Sequence, residues 1–237
     1  MTTLRARRVA RGAGVLLALA TITGLAGCTQ IVDLFNGVQA PQSVVPTAPT
    51  ATSTTPPEEL AFDSQFTRDG SVSLSSEVAE ELEVRLDVWA YDPKRTMEWR
   101  PDGEKIFGFA INVYDHRVDE KAVLTEKRRV YISQVSITSQ TSQTSTQSSS
   151  PFQFSADPRT LVPTDTMRSG RGLLLNSFQG GLLVPETTIH QLPTDTYGIT
   201  LQFALTVSVE ETADDDSSFR QQAVYQVLPI AIHSTVE

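Results

Sequence analysis

Three histidines, one cysteine and a cluster of carboxylates are the side chains with most chemistry to offer. His116, His190 and His233 stand far apart in the chain, and none has a second metal ligand at helical or hairpin spacing; HExxH and CxxC do not occur. His116 falls in Tyr114-Asp115-His116-Arg117, at the end of an apolar alternation. A solvated loop imidazole and a general base are the two readings of that position, the former preferred. Serines are abundant, but there is no G-x-S-x-G elbow, and Asn176-Ser177-Phe178 lacks the flanking glycines. Ser169-Gly170-Arg171-Gly172 is glycine-rich like a phosphate cradle, yet no helix follows it, so it reads as a loop entering a strand. Glu210, Glu211, Asp214, Asp215 and Asp216 are oxygen ligands of the kind Ca²⁺ takes, with Asp214, Asp215 and Asp216 the weak metal candidates. They do not alternate with spacers and include no glycine; a solvated hairpin tip accounts for them more simply. No catalytic residue, resident metal or cofactor is implied.

The lone cysteine, Cys28, belongs to a different kind of chemistry. The chain opens with Arg5, Arg7, Arg8 and Arg11 and no acidic residue before Asp33, then runs through VLLALATITGLAG from Val15. A basic flank, a short apolar core and small residues make a secretory signal. The core is too short to span a bilayer, which takes ~20 apolar residues. Leu25-Ala26-Gly27-Cys28 resembles the lipobox of bacterial lipoproteins at all four positions. That resemblance covers the first 28 residues and implies a diacylglyceryl group on the Cys28 thiol, cleavage just before Cys28, and further acylation of the new amino group. The alternative is an ordinary secretory signal that happens to end near a cysteine. Arg7-Arg8 hints at twin-arginine export, but Val9, Ala10 and Arg11 do not continue that pattern, and the general route is preferred.

Cleavage before Cys28 removes four arginines and takes the formal charge from −9 to −13. An acidic exported domain is a poor partner for nucleic acid, whose phosphates demand clustered Lys and Arg. With no second cysteine there is no internal disulfide, so stability must come from a core. Residues 28–59 read as a lipid-anchored linker. Ile31, Leu34, Phe35 and Val38 fall at i, i+3, i+4 and i+7, which fits a short amphipathic turn on the membrane or an unstructured start. Gln39 to Glu59 holds five prolines among Ser and Thr with no aromatic residue. Such a segment cannot bury enough apolar surface to fold. In extended form it would reach up to ~65 Å at ~3.1 Å per residue.

Residues 60–237 read as one domain of period-two alternation. Leu82, Val84, Leu86, Val88 and Ala90 share a face; so do Phe107, Phe109, Ile111 and Val113. The longest series is Tyr197, Ile199, Leu201, Phe203, Leu205, Val207 and Val209, facing Thr, Gln and Ser. Further strands are expected from Ser71, Arg128, Pro151, Leu173 and Ala223, the last joined to its predecessor by the hairpin EETADDDSS. Only Ser76–Leu82 and Asp119–Arg129 look briefly helical. Lys127, Arg128 and Arg129 read as a contact patch or, preferably, a solvated strand start. The Ser/Thr/Gln run from Ser133 to Ser150 reads as an edge strand running out into a flexible loop, a place where a partner strand could add.

Seven or eight strands with little helix predict an all-β, antiparallel β-sandwich. Leu192-Pro193-Thr194-Asp195-Thr196-Tyr197 is similar to the tyrosine corner of immunoglobulin-like and fibronectin-type-III domains. The resemblance covers six residues, makes Tyr197 the structural corner, and offers Trp89 as a core tryptophan. Together these features predict a non-catalytic cell-envelope lipoprotein. It is attached to the membrane through lipid on Cys28 and held off by the linker to bind an envelope protein or wall component. The alternative is an accessory or assembly subunit of a membrane protein complex, and an enzyme without a recognisable motif is the remote third.

Overall fold

The structure, a computed structural model, describes residues 62–233. Cys28, the lipobox residues Leu25, Ala26 and Gly27, and the linker lie outside the described residues. The alternations seen in the sequence become two antiparallel sheets packed face to face. The first sheet has the order β1 (Ser71–Ala79), β2 (Leu82–Ala90), β3 (Lys105–Asp115), β8 (Leu182–Ile189). The second runs β10 (Phe219–Ala231), β9 (Thr196–Glu210), β4 (Val130–Gln143), β7 (Gly172–Leu174), β6 (Arg168–Ser169), with β5 (Gln153–Ala156) also paired to β4. The chain is thus an all-β sandwich.

Alternation decides which side each residue takes. Leu82, Val84, Leu86, Val88 and Ala90 of β2 are all essentially buried, as are Ile199, Leu201, Phe203, Leu205 and Val207 of β9. Between the sheets, Phe109 meets Phe203 and Phe154 edge-on, at centroid separations of 5.8 and 5.9 Å. Phe107 meets Phe152 in the same way at 5.8 Å. Edge-to-face contacts match each ring's positive rim to its neighbour's negative face, adding to the burial itself. Trp99 supplies the core tryptophan, packed on Phe66 at 5.5 Å. Trp89 does not; it is on the outward phase of β2 and lies over Gly108. A Cβ at Gly108 would sit 2.7 Å from that indole and 2.3 Å from the Pro185 carbonyl, so the position admits only glycine.

Three expectations are corrected. Ser76–Leu82 is not helical: Ser76 to Ala79 ends β1, Glu80-Glu81 makes the turn, and Leu82 begins β2. So short a helix is marginal alone, and pairing along the whole of β2 outweighs its Glu-rich propensity. Asp119–Arg129 contains only a single 3₁₀ turn at Leu124–Glu126. The Ser/Thr/Gln run is not an edge. β4 pairs with β9 on one side, and on the other with β7 and β5. Further along, Thr141 N–H donates to the Ser149 carbonyl at 2.9 Å. Ser139 Oγ accepts from Phe152 N–H at 2.8 Å and donates to its carbonyl at 2.9 Å. Ser139, Thr141 and Gln143 are buried: Thr141 Oγ1 accepts from Ser149 N–H at 2.8 Å and from Gln143 Nε2 at 2.7 Å, so the two hydroxyls take up the backbone of the returning chain.

The outermost strands β1 and β10 face each other across an open seam. Gln222 Nε2 donates to the Val78 carbonyl at 2.9 Å, and Gln226 Nε2 donates to Ser76 Oγ at 2.5 Å. At another corner, Lys105 is fully buried with its ammonium donating to the carbonyls of Pro101, Gly103 and His190, the first and last at 3.4 and 3.2 Å.

Candidate functional site

On the outer face of the first sheet, Glu83 stands opposite Tyr114 and Arg85 opposite Asn112. The pleat places Glu83 and Arg85 on the same side, and His116, just beyond β3, completes a cluster there. His116 Nε2 lies 2.9 Å from Glu83 Oε2, and the imidazole stacks on Tyr114 with an interplanar angle of 16°. The Arg85 guanidinium sits 4.4 Å from the Tyr114 ring centre and donates to both Glu83 oxygens at 2.9 and 3.1 Å. Ser75 Oγ donates to Glu83 at 2.5 Å. The bonds from Arg85, and then from Ser75, hold the Glu83 carboxyl down to about 2.

That order of groups decides the chemistry. A serine is activated by a base at its own hydroxyl. Here the carboxylate stands between Ser75 and His116, so the hydroxyl donates to Glu83 and not to the imidazole. A carboxyl with so low a pKa is also a weak proton acceptor at neutral pH. The cluster fastens β1, β2 and the end of β3 to one another.

Beside it, the crossover from β3 to β4 (116–129) and the link from β7 to β8 (175–181) wall an open groove of ≈ 1010 Å³. Its floor includes Asn112, Tyr114 and Asn176, and its rims carry Val123 and Phe178. Those two are 61% and 91% exposed, large apolar side chains held in water at the mouth of a groove. Asn176 sets the spacing of the walls: Nδ2 donates to the Arg128 carbonyl at 2.7 Å, and Oδ1 accepts from Val130 N–H at 3.2 Å.

Two ion pairs with buried carboxylates hold the end of the crossover that walls the groove. Asp115, at the end of β3, accepts from Arg128 N–H at 3.0 Å and from its guanidinium at 2.8 and 3.1 Å, while Arg117 donates from the other side. Burial alone would push the Asp115 carboxyl up; the bonds from Arg128 and Arg117 outweigh it and hold it far below the usual carboxylate range. Glu210, at the end of β9, accepts from Arg129 N–H at 2.7 Å and from its guanidinium. The basic cluster is therefore not a solvated strand start: Arg128 is 3% exposed, and Arg129 is engaged with Glu210 and, at 3.0 Å, Asp216.

The other candidates fall outside this site. His190 Nδ1 lies 3.4 Å from Glu104 on the surface, and His233 Nε2 is buried with no hydrogen-bond partner among the described residues. The tip from Glu211 to Ser218 is exposed in part, but Glu210 at its base is buried. Within it, Asp215 accepts from Ser217, Asp216 pairs with Arg129, and Asp214 adopts a positive φ of 59°. No group of three or more His, Cys, Asp or Glu side chains that could hold a metal ion occurs among the described residues. Tyr197 starts β9 as expected and packs edge-on to Phe62 at 6.1 Å. Its hydroxyl makes no hydrogen bond among the described residues. The corner is tied instead by Asp195, whose carbonyl and carboxylate accept from Thr144 and Ser145 N–H at 3.1 Å each.

The groove's rim residues were not singled out from the sequence. Phe178 stands in Ser177-Phe178-Gln179-Gly180-Gly181, an apolar residue outside any period and beside two glycines, and that isolation was the available signal. No protein-family model matches the chain, and no curated protein or solved structure matches it.

Proposed function

We propose that the protein is a non-catalytic cell-envelope lipoprotein, exported and anchored by lipid on Cys28, whose β-sandwich binds another envelope component. The observation that carries binding over chemistry is the open groove beside His116. It has Phe178 and Val123 exposed at its rims, while the neighbouring polar groups are engaged with one another. The lipobox resemblance at Leu25-Ala26-Gly27-Cys28 supplies the attachment to the outer leaflet of the cell membrane, or to the outer membrane of a host that has one.

The near-complete exposure of Phe178 favours a protein as the groove's occupant, since aromatic side chains are enriched where partners bury surface. This supports the more specific reading of an accessory or assembly subunit of a membrane complex. The test is purification from detergent-solubilised membranes of wild type, Cys28→Ser and Phe178→Ala. A stoichiometric protein partner with wild type, lost with Phe178→Ala, is the expected result. Cys28→Ser should leave uncut precursor or release soluble protein; wild-type processing and membrane retention of that variant would remove the anchor from the proposal.

A further inference from the structure

The outer faces of the two sheets differ in kind. On the first sheet the polar groups are spent on each other: Ser73 donates to Asp87 at 2.5 Å, and Ser75, Arg85 and His116 all meet Glu83. On the second, the outward phase of β10, β9, β4 and β5 falls into rows. One row is Tyr225, Ala204, Ser136, Ser155. The next is Val227, Gln202, Thr138, Gln153. The rows on either side add Thr200 with Gln140 and Thr206 with Gln134. None of these residues is charged, in a chain whose formal net charge is −9. One side-chain pair joins residues of this face among the described residues, Gln134 Nε2 to Ser155 Oγ at 2.8 Å. The amides of Gln140, Gln153 and Gln202 and the hydroxyls of Thr138 and Thr200 make no hydrogen bond to other described residues. They are donors and acceptors at once, repeated about every 4.8 Å across the strands. Tyr225 and Val227, 72% and 55% exposed, border the array with apolar surface.

We propose that this face binds a neutral polysaccharide chain. The reasoning is one of chemical matching. An anionic polymer would call for Lys or Arg and a cation for carboxylates, and the rows hold neither. A polyhydroxylated, uncharged chain offers both hydrogen-bond roles along its length. It also presents a C–H face on which an exposed phenol ring packs, as the amphipathic Tyr side chain allows. The rows cross four strands, so an extended polymer lying along them meets each in turn. This deepens the reading of the domain as a binding module and rests on it, but uses a different surface from the groove.

The test is sedimentation of the purified full-length chain with insoluble cellulose and with starch granules, both neutral, and its migration through gels containing anionic polygalacturonate. The proposal expects retention on at least one neutral polymer, unchanged between about 50 and about 500 mM salt because no charge pairs are screened. Tyr225→Ala should weaken retention about tenfold, the order of one aromatic contact. Thr138→Glu, a surface change in the middle of the rows, should abolish it with the circular dichroism spectrum intact. Retention on neither neutral polymer, binding to polygalacturonate alone, or wild-type retention by Thr138→Glu overturns the proposal. So does a concentration-dependent dimer that Thr138→Glu disperses, which would make a second copy the occupant. Phe178→Ala should leave glycan retention unchanged, so a failure here is separable from a failure of the groove to hold its protein partner.

Discussion

Arg128 and Arg129, adjacent in the chain, grip buried carboxylates that belong to different sheets: Asp115 at the end of β3 and Glu210 at the end of β9. Successive side chains of an extended segment point to opposite sides, so two neighbouring arginines reach both layers of the sandwich at once. The dipeptide is a clamp on the crossover that walls the groove.

Breaking one arm of the clamp leaves a buried charge without its partner. Arg128→Ala should therefore cost about 3–5 kcal/mol, read as a lowered urea midpoint with an unchanged slope. Replacing Asp115 by Asn should also remove a pH dependence. The folded-state pKa of Asp115 is depressed, so its contribution is fully present above the ordinary carboxylate range and is lost as pH falls through the folded value. Wild-type stability should fall more steeply below about pH 4 than that of Asp115→Asn. Parallel acid limbs would count against the ion pair.

Lys105 works in the opposite direction. Burial pushes its ammonium down to about 8 from 10.5, even with Asp102 nearby. Between those values the unfolded chain holds a proton that the folded chain has released, so stability climbs as pH rises through that window. Urea denaturation of wild type and Lys105→Met at pH 7.5 and 10 should show a rise for wild type that is smaller or absent in the variant.

Ser139 is the residue whose mutation tests the reassignment of the Ser/Thr/Gln run. Its buried hydroxyl serves both the N–H and the carbonyl of Phe152. Ser139→Ala should cost about 1–3 kcal/mol by leaving those groups unpaired, whereas Gln140→Ala, one position along and exposed, should change stability by less than about 0.5 kcal/mol. Equal effects would return the run to an edge strand running out into a flexible loop.

Tyr197→Phe should be nearly silent, within about 0.5 kcal/mol, because the hydroxyl has no partner among the described residues. Asp195→Ala should cost more, since it removes the carboxylate that accepts from Ser145. Thermal melts of the two variants decide which residue ties the corner.

The strands were legible because apolar alternation is local: β2, β3 and β9 could be drawn from Leu82, Phe107 and Ile199 and their i+2 partners. What a polar residue does was not, because it depends on what lies across the fold. Nothing near Lys105 in sequence shows that the His190 carbonyl, 85 residues away, will receive its ammonium. Arg129 and Glu210 are 81 positions apart. The sequence offers Trp89 for the core, but the phase of β2 sends it outward, and Trp99 takes that place. The groove was hidden for the same reason: its walls come from two separate links between strands, so His116, Lys127 and Ser177, each weighed singly from sequence, gave no sign that they line one groove.

The glutamines that bridge the seam carry a consequence for how the chain reaches its final state. Gln222 and Gln226 meet residues 144 and 150 positions earlier, so the first hairpin and the last strand must both be present before the edges can be joined. Contacts of such long separation are slow to form, and they cannot form on a partly delivered polypeptide. If the chain is exported as proposed, its N-terminal end first, the sandwich closes only after β10 has passed.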